Sequence, residues 1–302
     1  MEMLAWNSLV IVSKLVFYVG FASAFGSYAF RYTETRHGLL AGGNTRWTIV
    51  SLLMSCAGVV FWFLSSTGAM AEAGIAGILD PFMLDIMWTS PIGEVAVLRF
   101  TTLLALLVLT AIRIYFLDDA GERHSHRIDL AIKLLATICF MILAYSFTLA
   151  GHVAELNWVA KSLVCLHVLV MAWWFGSLPL LRHACRSNQS AKLQGLMEKF
   201  GMQAMCLVPV LLAAGLGLSY LLLGSISELI STAYGQVLLA KIISVLAVLA
   251  IAANHKFRLV PLISSLDGGR EKIEKSIGIE MAVAMLILIL CAVLTSVVGP
   301  LE

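Results

Sequence analysis

Charge is scarce in this chain, and it is unevenly placed. Only 13% of the 302 residues are Asp, Glu, Lys or Arg, against 60% hydrophobic, and the mean hydropathy is +0.94. A soluble globule of that balance could not cover itself with polar surface. No polar linker or soluble domain is long enough to stand alone. Other absences remove function classes. There is no Gly-rich phosphate loop, no HExxH, no nucleophile–base–acid constellation and no paired intramembrane carboxylates of the kind a proton pump uses. The chain therefore reads as neither an ATPase nor any other enzyme, and no nucleic-acid partner is expected. The six cysteines form no disulfide framework. Cys56, Cys139, Cys165, Cys206 and Cys291 fall within apolar runs and Cys185 in a basic segment, where a thiol behaves as a small hydrophobe.

What the chain has instead is long apolar runs. A spanning helix needs roughly 20 mostly apolar residues. Eight runs qualify: 7–30, 47–68, 92–116, 129–150, 158–181, 200–224, 234–254 and 277–298. The expected fold is all-α, a single polytopic membrane domain over 1–302 with eight transmembrane helices. The first run lacks a basic leader or cleavage site and reads as a retained helix.

Lys and Arg set the orientation. Segments 31–46, 118–128, 182–199 and 256–275 carry 3, 2, 4 and 5 of them, whereas 69–91, 151–157 and 225–233 carry none. That asymmetry assigns the basic segments to the cytoplasm and both termini to the outside. The outer face is then acidic, with Glu72, Asp80, Asp85, Glu155 and Glu228. It reads either as a surface that attracts cations or as a solvated rim.

The chain also repeats itself. Phe25-Gly26-Ser27 recurs as Phe175-Gly176-Ser177. Gly93, with Arg99 six residues on, recurs as Gly235 with Lys241 six residues on, and Gly151 matches Gly299. Four spans return a chain to the same side, so the expected halves, 1–152 and 153–302, are parallel four-helix repeats. Four cations, Lys14, Arg99, Lys161 and Lys241, lie within the runs at similar depth near the outer ends of odd-numbered helices. Snorkelling explains Lys161 best. The repeat position argues an interior role for Arg99 and Lys241, with Glu94, Glu155, Glu228 or helix-end carbonyls as partners.

Two of the seven histidines stand apart. His37, His124, His126, His183 and His255 lie in or beside basic segments, but His152 closes an apolar run and His167 sits inside the next. An imidazole in hydrocarbon costs several kcal/mol, roughly, unless something binds it. Both also lack a counterpart in the other half, where the equivalent places are Phe17 and Gly299-Pro300. Met171 follows His167 by one helical turn, and Trp174 follows by two. Imidazole with thioether is a soft-metal ligand set suited to copper, sulfur favouring Cu(I); the alternative is plain packing. In the loop 69–91, Asp80-Pro81 can start a short helix that puts Met83 and Met87 on one face. With Asp80, Asp85 and Glu155 these methionines form either an outer cation-capture surface or an amphipathic helix lying on the lipid bilayer.

Gly151-His152, then His167 followed by Trp174-Phe175-Gly176, then Tyr234 to Lys241 leading to Asn254 and Leu259-Val260-Pro261, resemble in order and spacing the copper-resistance protein D (CopD) family of bacterial inner-membrane proteins. The resemblance extends over nearly the whole chain and is densest from 145 to 261. It implies an eight-helix inner-membrane protein that moves copper inward, as Cu(I) or Cu(II), often from a small periplasmic copper-binding partner. It implies His152 and His167 as copper ligands, with Trp174, Gly176, Asn254, Arg99 and Lys241 as family positions. One departure is in helix 1, where many members carry a His at the place of Phe17. From the residues alone two other readings stay open: a haem- or quinone-linked redox protein with axial His152 and His167, and a copper chaperone for oxidase assembly.

Overall fold

Hydrocarbon offers no partner to a bare backbone amide, so a chain this apolar must bond its peptide groups within each segment. The computed structural model describes residues 2–34, 43–71, 73–117, 122–151, 153–186, 190–223, 225–263 and 268–296. Every regular element among them is helical: α1 (Glu2–Glu34), α2 (Gly43–Ala71), α3 (Pro81–Trp88), α4 (Pro91–Leu117), α5 (Glu122–Tyr145), α6 (Trp158–Ala184), α7 (Ser190–Leu222), α8 (Glu228–Ser231), α9 (Ala233–Asn254) and α10 (Gly269–Leu294). All but the short α3 and α8 are long and apolar enough to cross a membrane. The chain is an all-α polytopic membrane protein. Its exposed mid-helix side chains are apolar, among them Phe61, Val108, Ile138, Leu216 and Leu246. That pattern would be a liability in water but is required in lipid.

Helix ends depart from the hydropathy boundaries. The α7 helix starts at Ser190 and α10 at Gly269, well before the apolar runs at 200 and 277. Hydropathy marks only the stretch that touches hydrocarbon. The preceding Lys, Glu and Gln are good helix formers and carry the helix on into the polar layer. The short helix after Asp80 forms as its capping signals suggest. Asp80 Oδ1 accepts from the amides of Phe82 (2.9 Å) and Met83 (3.0 Å), and Pro81 occupies the first turn.

The contacts divide the chain into two compact units, residues 1–21 with 49–169 and residues 22–48 with 170–302. In the first, α4 and α5 pack side by side, and Phe17, Phe21, Leu52, Leu103, Leu106 and Leu143 are fully buried. Small residues let α1 and α2 approach closely, since a Cβ on Gly58 would lie 2.5 Å from the Phe17 amide nitrogen. In the second, α9 and α10 form the main helix pair, and Leu178, Leu181, Leu193, Leu196, Ile273 and Ile277 are fully buried. Here Gly26 of α1 meets Gly176 of α6 backbone to backbone. A Cβ on Gly176 would stand 1.8 Å from the Ala22 carbonyl oxygen.

Each unit contains the same local device at a helix start. Ser90 Oγ donates to the Met87 carbonyl (2.7 Å) and accepts from the Gly93 amide (3.4 Å). Thr232 Oγ1 donates to the Glu228 carbonyl (2.8 Å) and accepts from the Gly235 amide (3.0 Å). Both glycines press on the preceding short helix, so a Cβ would fall 2.3 Å from the Trp88 oxygen at Gly93 and 2.1 Å from the Glu228 oxygen at Gly235.

Candidate functional site

The end of α5 prepares the first histidine segment. A 3-10 turn, Ser146–Thr148, follows α5, and Gly151 then adopts φ +80, a left-handed conformation that disfavours any side chain. The Ala154 amide closes back on the Gly151 carbonyl at 3.0 Å, and Asn157 Oδ1 caps the amide of Ala160 to start α6 (3.0 Å). His152 lies outside the described residues. His167 is half-buried on α6, about 14 Å along the helix from Trp158. Met171, one turn on, is also half-buried. Among the described residues no three His, Cys, Asp or Glu side chains gather as a ready-made metal site.

Arg99 is the most buried cation described, 6% exposed. Its Nε donates to Ser146 Oγ (2.8 Å) and Nη2 to the Ser146 carbonyl (3.4 Å). The guanidinium carbon lies 4.6 Å from the Phe17 ring centre, 4.8 Å from Phe147 and 5.1 Å from Trp62. Three aromatic faces replace part of the lost hydration. The partner is thus a helix-end group and a cage of rings. Glu94 and Glu155 are exposed, and Lys14, half-buried on α1, is near enough to be repelled by Arg99. The link to Ser146 also ties α4 to the turn from which Gly151 and His152 issue. Lys241 is half-buried in the second unit.

At α3, Met87 is buried and Met83 half-buried, while Asp85 is exposed. Asp80 is occupied in capping. Beside Asp85, this stretch exposes the large apolar side chains Ile75, Leu79, Phe82, Ile86 and Trp88, a surface suited to the edge of a bilayer.

The second unit brings together a cluster that sequence reasoning missed. Glu280 of α10 is 2% exposed. Its Oε1 accepts from Trp174 Nε1 (3.1 Å), and Oε2 lies 3.1 Å from His255 Nδ1. His255 Nε2 lies 2.6 Å from Ser276 Oγ. A π turn, His255–Leu259, follows α9 and aims the ring inward, although its neighbours Lys256 and Arg258 mark the segment as solvated. A signal was present: Glu280 is a carboxylate inside an apolar run, and the argument that singled out His167 applies equally to it. Asn254, exposed, ends α9 beside this turn, and Gly176 serves the close crossing with α1.

These features define a class: a multi-pass helical membrane protein with ionisable side chains held inside its spans. Comparison with known proteins narrows it. The family described as copper resistance protein D-like, N-terminal domain, matches residues 3–160, and that described as copper resistance protein D matches residues 194–294. The chain belongs to the copper resistance protein D family, a membership that supports a copper-handling role. A copper transport protein of Bacillus subtilis (strain 168), CutJ, is 28% identical over 166 residues. The match takes in 54% of this chain and 30% of that protein, so the chain spans less than a third of its curated relative. No solved structure matches.

Proposed function

We propose that this protein carries copper across the bacterial inner membrane from periplasm to cytoplasm, with both termini periplasmic and His152 and His167 as ligands along the way. One observation carries the reading: in a member of this family, an imidazole, His167, is half-buried about 14 Å along a membrane-spanning helix. A neutral imidazole is a good ligand for either copper oxidation state, and Met171 adds a thioether that favours Cu(I). The left-handed Gly151 turn sends the chain back toward α6, which supports a shared or stepwise path for the two rings. The exposed Asp85, Glu94 and Glu155 would attract the cation at the acidic face, with the half-buried Met83 as a thioether on the same side, and a small periplasmic copper-binding protein would deliver it there. The matched caps at Gly93 and Gly235 and the Gly26–Gly176 crossing support two parallel four-helix repeats, 1–152 and 153–302.

The test is copper content and uptake of purified protein in sealed liposomes. Wild type should hold copper and load it into the lumen, and His152→Ala and His167→Ala should each lose both without losing insertion. Met171→Leu keeps the volume and removes the sulfur; silence there would leave a nitrogen-rich site suited to Cu(II). Binding without uptake would identify a chaperone, and a Soret band would identify a haem protein.

A further inference from the structure

The cluster around Glu280 has the properties of a proton carrier. We propose that Glu280 and His255 form a proton-binding site, oriented by Trp174 and Ser276, through which copper movement is coupled to proton movement. The coupling rests on the copper reading above; the proton site does not.

The argument begins with the cost of the carboxylate. An ionised Glu inside a span is unfavourable unless its charge is met, and a group in that position either pairs or takes up a proton. Glu280 has only neutral or titratable partners. Trp174 Nε1 can only donate, which fixes Oε1 as an acceptor at 3.1 Å. Oε2 faces His255 Nδ1 at 3.1 Å, and among the described residues Glu280 has no other hydrogen-bond or ion-pair partner. Among the described residues no Lys or Arg pairs with it. Cations on the surrounding segments have other partners: Arg182 and Arg186 pair with Glu274, nearer the start of α10, and Lys256 reaches Met205 of α7. Arg258, also on the π turn, is exposed, and residues 247–254 of α9 carry no titratable side chain. On α6, Trp174 faces the carboxylate.

The geometry serves two protonation states without moving a heavy atom. With His255 neutral, Nδ1–H donates to Glu280, and Nε2 accepts the Ser276 hydroxyl proton. When a proton is taken up, Nε2–H donates to the Ser276 hydroxyl, which turns to accept, and Glu280 Oε2–H donates to Nδ1, leaving a neutral carboxylic acid. Ser276 Oγ can play either part, and the 2.6 Å separation suits both. A proton can therefore be gained or lost at little reorganisation cost. The ring is also the more accessible partner, its side chain 12% exposed against 3% for Glu280, so protons reach the carboxylate through it. The π turn that presents the ring is an uncommon element that recurs at functional sites.

Two measurements on the full-length protein test this. In lipid-reconstituted protein without copper, acid-minus-base infrared difference spectra should show the C=O stretch of a buried carboxylic acid. That band should vanish in Glu280→Gln, and its midpoint should shift in His255→Gln. A spectrum identical in wild type and Glu280→Gln overturns the proton site. In liposomes with a trapped pH dye, copper uptake by wild type should be accompanied by a change in luminal pH. Glu280→Gln should lose at least tenfold of that proton flux while still binding copper at wild-type stoichiometry. Copper uptake with the same proton flux and pH profile in both proteins overturns the coupling. Should Glu280→Gln not fold, Trp174→Phe removes the fixed donor to Oε1 and should shift the infrared midpoint; an unshifted band overturns the assignment. Wild type that shows the infrared band but takes up no copper refutes the transport reading, and the coupling with it, while leaving the proton site standing.

Discussion

Replacing Arg99 by Met separates a structural charge from a functional one. Insertion scales put an Arg at a helix centre at roughly 2.5–3.5 kcal/mol. Three ring faces return about 0.5–2 kcal/mol each, and bonds from a charged donor about 1.5–3 kcal/mol. At the lower ends of these ranges gain and cost nearly cancel, in line with the near-neutral cost of exchanging buried ionic groups for apolar ones of similar size. Ser146 is not orphaned by the change, because its Oγ donates to the Leu143 carbonyl at 2.6 Å. Met fills most of the Arg volume between Phe17, Trp62 and Phe147, so Arg99→Met should unfold within a few degrees of wild type. Arg99→Ala leaves a void among three rings and should cost about 2–4 kcal/mol. Function should follow a different order. The guanidinium holds Ser146, six residues before His152, so Met and Ala should both cut copper-dependent growth at least tenfold. Thermal unfolding in detergent and growth on graded copper read the two scales. A fully active Arg99→Met would show that the charge is dispensable, and one as unstable as Arg99→Ala would show that it is chiefly structural.

Other expectations follow from single positions. Gly176→Val should lose about 3 kcal/mol or more, because any Cβ there meets the Ala22 carbonyl. Gly201→Ala, with nothing within 4 Å, should gain about 0.5–1 kcal/mol; similar melting temperatures for the two would undo the close-crossing argument. Cys185, just past the end of α6, has its thiol pushed up to about 12 by burial and then by the Glu274 charge. Roughly one molecule in 10⁵ is then thiolate at pH 7, so maleimide should leave Cys185 unlabelled until the protein is denatured. Rapid labelling of the folded protein would refute that. An Asp85→Cys variant should react with an impermeant thiol reagent from the periplasm and an Arg186→Cys variant should not; the opposite pattern would invert the orientation.

The architecture was legible because a bilayer imposes one length scale. Eight apolar runs became eight helices, and Asp80-Pro81 became a capped short helix, since both signals are local. Helix ends were less legible, because at Ser190 and Gly269 the helix outruns the hydrocarbon that the hydropathy reports. Of the partners of Arg99, the helix-end carbonyl could be read and the ring cage could not. Acidic residues were the natural expectation, but the rings that hold it come from positions 17, 62 and 147, and no local pattern links them. His255 was misjudged for a related reason. Its basic neighbours describe the segment's average environment, whereas the direction of one ring depends on the π turn that follows α9.

The proposed duplication explains which positions differ between halves and which do not. Matched residues do mechanical work: Gly93 and Gly235 seat a short helix on a long one, and Gly26 and Gly176 let two helices cross in contact. Glycines are irreplaceable in such roles in either half, since the obstacle is backbone. The unmatched residues carry chemistry. Phe17, at the place of His167 in the proposed repeat, forms one wall of the Arg99 cage, and an imidazole there would sit against the guanidinium. An aromatic hydrocarbon at that position and an imidazole at 167 thus divide the labour between halves. That division predicts that moving the His, Phe17→His with His167→Phe, restores fold but not copper binding, because the new ring sits against Arg99.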